Sequence, residues 1–186
     1  MNEIEELLDI VACNFMMLKK QASVIRQIAD TMIEALDNGN KIIFCGNGGS
    51  AADAQHLAAD LMGRYKRERK SLPSISLTVD TSALTAIAND YGYEKVFSRQ
   101  LEGIGRKGDV LVAISTSGHS VNVIDAVKVA QKMKIKTIAF TGNSGGKLSS
   151  LVDIALKVPS DITNNIQEMH TACGHIICGI VEAHIV

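Results

Sequence analysis

Tryptophan is absent from this chain, and only two of its 186 residues are proline. No apolar run is long enough to span a bilayer, which excludes a helical membrane protein. The opening residues, Met1-Asn-Glu-Ile-Glu-Glu, are acidic where a secretory leader would be basic, so no signal peptide is expected. An excess of charge of either sign is also missing: 19 Lys and Arg stand against 20 Asp and Glu, for a net charge of −1. That balance argues against a nucleic-acid-binding surface and against an acidic tail. Cysteine is sparse. Cys13, Cys45, Cys173 and Cys178 lie in apolar contexts with no Cys-x-x-Cys spacing, which points to buried free thiols and away from disulfides or thiolate metal sites. These absences leave a soluble, globular, cytoplasmic protein of one domain, long enough to bury a sizeable core.

What is there is periodic. Ile4, Leu7, Leu8, Val11, Phe15 and Leu18 recur at three- and four-residue steps, and Ile25, Ile28, Met32, Ile33 and Leu36 continue them, so residues 2–36 read as helical throughout. A helix of that length carries more apolar surface than one sheet face needs, and the surplus predicts packing on a partner subunit. Asp37-Asn-Gly-Asn40 ends it with turn residues. After Lys41, residues 42–45 form a short apolar run that reads as a strand buried on both faces. In the loop Gly46-Asn-Gly-Gly-Ser50 the glycines let backbone N–H groups approach a ligand, and Ser50 is expected to cap a helix over 50–62. Further strands are expected at 74–79, 109–114, 135–140 and 154–158, with helices at 81–89, 95–104, 121–133 and 164–185. The basic run 63–70 reads as a solvated connection, with Arg64 placed where it could face a site. Strands alternating with helices imply an α/β protein with a doubly wound parallel sheet, which binds ligands at the carboxyl ends of its strands.

Two loops fall on that edge. The glycine loop lacks the G-x-G-x-x-G spacing and the Gly-Lys-Ser/Thr of nucleotide sites, so a ligand smaller than a nucleotide is favoured; the bland alternative is a tight βα turn. Ser115-Thr-Ser-Gly-His-Ser120 gathers the hydroxyls of Ser115, Thr116, Ser117 and Ser120 at a helix start, an array suited to a phosphate dianion without a cation. A simple N-cap would need one hydroxyl, and His119 reads as an exposed loop residue. His56 and Asp60 stand four apart on one helix face, fit for a divalent metal, for a base with its orienting partner, or for a plain surface pair. Gln167 and His175, two turns apart on an apolar helix, gain meaning only if that helix meets the first.

Taken together, Cys45-Gly-Asn-Gly-Gly-Ser-Ala-Ala-Asp-Ala-Gln-His56, Leu84-Thr-Ala-Ile-Ala-Asn-Asp-Tyr-Gly-Tyr93, Ile114-Ser-Thr-Ser-Gly-His-Ser120, Thr141-Gly-Asn-Ser-Gly-Gly146 and Ile166-Gln-Glu-Met-His170 with His175 resemble the sugar isomerase (SIS) domain family, its phosphoheptose isomerase branch above all. The resemblance spans the whole chain. It implies a single SIS domain over 1–186, with 1–36 as an oligomerisation helix and 37–186 as α/β core and C-terminal helix. The fold implied is a three-layer αβα sandwich with a five-stranded parallel sheet and long terminal helices. The activity implied is isomerisation of sedoheptulose 7-phosphate to D-glycero-D-manno-heptose 7-phosphate for surface glycans, by a homotetramer with active sites between subunits and one zinc per subunit. By the same resemblance Ser115, Thr116, Ser117 and Ser120 hold the phosphate. Asn47, Gly48, Gly49 and Ser50 lie near the sugar, and Arg64, Asn89, Asp90 and Gln167 line the site. His56, Asp60, Gln167 and His175 match zinc ligands, and Asp60 and His175 the catalytic pair.

Two positions depart from that pattern. Asp60 stands where the family has Glu, shortening the reach by one methylene, about 1.5 Å, and Asn165 stands where Arg is frequent. The resemblance leaves open a non-catalytic tetramer that binds the replication initiator, a sugar-phosphate sensor, and an isomerase of another sugar phosphate.

Overall fold

The computed structural model describes residues 2–185. Alternation along the strands sorts the core into two layers. Strands β1 (Ile42–Gly46), β2 (Ser74–Ser76), β3 (Val110–Ile114), β4 (Lys136–Thr141) and β5 (Ile154–Lys157) form one parallel sheet in the order β2-β1-β3-β4-β5. The chain also forms helices α1 (Glu3–Leu18), α2 (Ala22–Asp37), α3 (Gly49–Met62), α4 (Thr81–Tyr91), α5 (Ser98–Ile104), α6 (Val121–Lys132) and α7 (Thr163–Ile185). Ile42, Phe44, Val110, Val112 and Ile138 pack with α2, α3 and α7, while Ile43, Cys45, Leu111, Ala113 and Ala139 pack with α5 and α6. Every residue of β1 and β3 is buried, as a sheet covered on both faces requires. The three-layer sandwich follows. No helix among the described residues is long and apolar enough to cross a membrane.

Sheet order fixes where a ligand can sit. From β1 the chain moves outward to β2 and then returns to place β3 on the other side of β1, with Gly46 level with Ile114. The crevice between the carboxyl ends of β1 and β3 is therefore the topological switch point. Both ligand-type loops open there.

Several local expectations are corrected. The N-terminal helix is broken by a 3-10 turn at Lys19–Gln21. Beyond it α2 packs on the core, whereas α1 buries only Asn14 and Leu18. Cys13 is consequently exposed, unlike the other three cysteines. Strand β2 stops at Ser76, not at residue 79, because Ser76 Oγ accepts the Thr78 N–H and turns the chain. Ser50 is not the cap of α3: Gly48, at φ +58°, holds that position and Ser50 lies buried inside the first turn.

The basic run is not simply solvated either. Glu182 of α7 is buried and accepts the backbone N–H groups of Tyr65, Lys66 and Arg67. Arg69 lies 3.4 Å from Glu182 and donates to the carbonyls of Asp60, Gly63 and Lys70. Burial alone would raise the Glu182 pKa, but the three N–H bonds and the guanidinium outweigh it and hold the carboxyl below its usual value.

After α6, Lys134 is the one non-glycine residue with positive φ (59°) among the described residues. A Cβ in that region costs roughly 1–2 kcal/mol. Lys134→Gly is expected to stabilise the protein by about 0.5–1 kcal/mol in urea unfolding, less than the strain because glycine also frees the unfolded chain. An unchanged or lowered midpoint would show that the turn carries no such strain.

Candidate active site

The hydroxyl loop after β3 is shaped by its neighbours. Gly118 turns at φ +65°, and a Cβ there would overlap the Gly145 carbonyl. Gly142 donates to the Thr116 carbonyl and Leu148 to the Gly118 carbonyl, so the glycine-rich loop after β4 is a backbone buttress for the one after β3. Ser115 Oγ and Ser120 Oγ lie 2.9 Å apart, and Ser120 heads α6 without spending its side chain on a cap. The Gly118 N–H is turned inward to the Ser115 carbonyl and the His119 N–H to Ser117 Oγ. Ser115 is buried and Ser120 half-buried, so the hydroxyls line a helix start whose first N–H groups have no intrahelical partner. Thr116 is half-buried, Ser117 is exposed, and His119 is exposed as expected.

Asn47, in the glycine loop, meets Asn122 in the first turn of α6. Each side-chain amide donates to the other at 2.9 Å, and Tyr93 Oη donates to Asn47 Oδ1 at 3.2 Å. Neither Asn122 nor Tyr93 is visible as a site residue in the sequence.

The second half of the site lies between α3 and α7, which run side by side. A Cβ at Gly174 would overlap the Leu57 side chain, so glycine is what lets the helices come so close. A Cβ at Gly49 would lie 2.5 Å from Gln167 Nε2, placing Gln167 against the head of α3. One turn on, Thr171 donates to Asp53 Oδ1 at 2.6 Å. Lower still, His56 Nε2 and His175 Nε2 are 2.7 Å apart, and Asp60 Oδ2 is 3.8 Å from each. The Tyr65 ring stacks on His175 with centroids 5.5 Å apart, held by the Glu182-anchored backbone described above. The structure thus brings His56, Asp60 and His175 together, with Gln167 two turns of helix away toward the glycine loop.

Asp60 Oδ2 is buried and has no hydrogen-bond partner. An orphaned carboxylate oxygen facing two imidazole nitrogens, all within 4.8 Å of one another, fits a divalent ion. Zinc–ligand bonds near 2.0–2.2 Å allow donors about 4 Å apart to share one ion, and mixed imidazole–carboxylate sets suit zinc. Asp60, although one methylene shorter than Glu, therefore reaches both imidazoles. The side chains of His56 and His175 remain 52% and 35% exposed, leaving room for a substrate.

Other expected site residues sit apart in this chain. Arg64 is exposed and 3.7 Å from Glu68, and Asn89 donates to Asp90 on the exposed end of α4. Asn165 is buried, where it accepts from Asn164. Asp53 was not foreseen, although it shares the α3 face of His56 and Asp60. Its Oδ2 is also buried without a partner, and burial raises its pKa against the lowering effects of Thr171 and the two imidazoles.

His170, one turn above Gly174, is fully buried. Its Nε2 donates to the Thr141 carbonyl at 3.2 Å and its Nδ1 has no partner. Burial pushes its pKa down from 6.5 to about 4, against a smaller upward pull from that hydrogen bond. Between those values the unfolded chain binds a proton that the folded chain refuses. Stability carried by neutral His170 is therefore lost as pH falls from 6.5 toward 4, by about 3 kcal/mol in all. Urea unfolding across that window should show the slope, and His170→Gln should flatten it. An equal slope in the variant would assign it to other groups.

Comparison with known proteins shows what this chain and its fold are similar to. The family model described as SIS domain matches residues 9–142. A phosphoheptose isomerase of Akkermansia muciniphila is 55% identical over 94% of this chain and 93% of its own. One from Aliarcobacter butzleri is 62% identical over 81% of this chain and 79% of its own. Among solved structures, phosphoheptose isomerase GmhA from Neisseria gonorrhoeae superposes with a TM-score of 0.92 at 43% identity, over 97% of each chain.

Proposed function

The chain belongs to the SIS domain family and is a sugar-phosphate isomerase, and from that premise we propose that it converts sedoheptulose 7-phosphate to D-glycero-D-manno-heptose 7-phosphate. The convergence of Asp60, His56 and His175 between α3 and α7 carries this reading. Aldose–ketose interconversion moves a proton between C1 and C2 through an enediol, which requires one group to take a proton and another to return it. Asp60 and His175 fill those roles, each close enough to the other to address two adjacent carbons. Ser115, Thr116, Ser117 and Ser120 hold the phosphate at the start of α6, and Gly48, Gly49 and Ser50 border the sugar.

His56, Asp60 and His175 would hold a zinc ion, which when bound supplies Lewis-acid polarisation of the substrate carbonyl, while Gln167, two turns away against the head of α3, borders the sugar instead. Exposure of Ile4, Leu7, Leu8 and Met16 on α1 supports a homotetramer with its sites closed at subunit boundaries, where Arg64, Asn89 and Asp90 meet the substrate. In this proposal the enzyme is cytoplasmic and opens a route to nucleotide-activated heptose for lipopolysaccharide or capsule.

The test is incubation with sedoheptulose 7-phosphate in deuterated water, followed by NMR. The proposal expects the aldose 7-phosphate to form with deuterium at C2. Binding of the sugar phosphate without any aldose would instead favour a scaffold or sensor.

A further inference from the structure

The glycine loop and the hydroxyl loop leave adjacent strands at the switch point, and their separation decides which sugar phosphates can bridge them. Among the described residues, the side chains that join the glycine loop to the head of α6, where the hydroxyl loop ends, are the amide pair of Asn47 and Asn122. Its acceptors are fully used. Asn47 Oδ1 takes the Asn122 amide and the Tyr93 hydroxyl, and Asn122 Oδ1 takes the Asn47 amide and the Val123 N–H. A carbonyl oxygen has two lone pairs, so neither side chain has an acceptor left for a sugar hydroxyl. Asn122 is also 4% exposed, with no path to a substrate. A polar pair whose acceptors are filled, which is buried at one end and placed across the ligand crevice, acts as a strut.

We infer that Asn122 is a positioning residue, which through Asn47 sets the distance between the phosphate-holding loop and the loop bordering the sugar. The inference rests on the phosphate reading of residues 115–120. It assigns Asn47 Oδ1 a task other than accepting from the sugar, while the second N–H of that amide takes no part in the strut. The strut governs how well a phosphate and a carbon chain are accommodated at once, and leaves binding of phosphate alone untouched. Tyr93, at the turn after α4, ties a third segment into the same joint.

The experiment is a double-mutant cycle with Asn47→Ala, Asn122→Ala and the double variant. Affinities for sedoheptulose 7-phosphate and for inorganic phosphate are measured by calorimetry, beside melting temperature and kcat. Each single variant is expected to lose roughly tenfold in affinity for the sugar phosphate, the scale of one well-placed hydrogen bond, while inorganic phosphate binds within about twofold of wild type. The double variant should be no weaker than the worse single one, because one interaction has been removed in each case.

Losses that multiply in the double variant would overturn the strut, as would a parallel loss of inorganic phosphate or unchanged sugar-phosphate affinity with only a lower melting temperature. Should Asn122→Ala fail to fold, Asn47→Ala, at a half-buried position, gives the same reading when paired with the near-isosteric Asn122→Leu. Wild-type protein that binds the sugar phosphate but does not isomerise it overturns the substrate proposal and leaves the strut to be judged on affinities. Wild-type protein that binds neither ligand overturns both.

Discussion

His175→Ala is expected to lower turnover of sedoheptulose 7-phosphate by roughly two to four orders of magnitude, the range over which a positioned acid–base group acts. His175 is central to its cluster: 2.7 Å from His56, 3.8 Å from Asp60 and stacked under Tyr65. In the proposed function, removing it takes away one proton-transfer group and one metal donor together. The fold should survive, because α7 is held on α3 and the sheet by Ile166, Met169, Cys173 and Ile177, all buried. Turnover with a melting temperature as control checks this. A variant that keeps wild-type turnover would remove His175 from the mechanism.

Gly118→Ala is the second large effect, and it acts without deleting any functional group. Glycine is required there twice, by the backbone turn at φ +65° and by contact with the Gly145 carbonyl, a main-chain atom that cannot rotate away. Left-handed geometry costs roughly 1–2 kcal/mol, and the overlap is relieved by displacing the hydroxyl loop from its buttress. Displacement of about 1 Å at a binding site can cost roughly a hundredfold. The expected result is a rise in KM, or loss of saturation, near that size, with a smaller effect on kcat. Stability should fall by about 1–3 kcal/mol. Kinetics of the variant that match wild type would mean that this loop does not hold the substrate.

Much of this architecture was legible because its signals are local. The apolar runs at β1 and β3 mark buried strands, and the four-residue spacing of His56 and Asp60 places both on one face whatever the rest of the chain does. The hydroxyl loop announced itself in six consecutive residues. What could not be read depends on residues far apart in sequence. His175 joins His56 only because Gly174 lets α7 press against Leu57. Glu182 organises residues 65–67 across more than a hundred positions, so a run that looked merely charged became the support for Tyr65. Asn122 looked like any polar residue in a first helical turn until the sheet order set β1 beside β3. Ser50 misled for a different reason: serine is a favoured cap, but the turn at Gly48 needs a positive φ that only glycine adopts without strain.

Asp60 is the residue on which the completeness of the site turns. Its buried, partnerless oxygen and its equal distance to both imidazoles argue that the shorter side chain still completes the site. The decisive measurement is turnover of sedoheptulose 7-phosphate by metal-stripped protein before and after adding zinc, with the aldose product detected directly. Little activity is expected without metal, with recovery when zinc is restored. A folded, zinc-loaded protein that forms no aldose would contradict the proposed function.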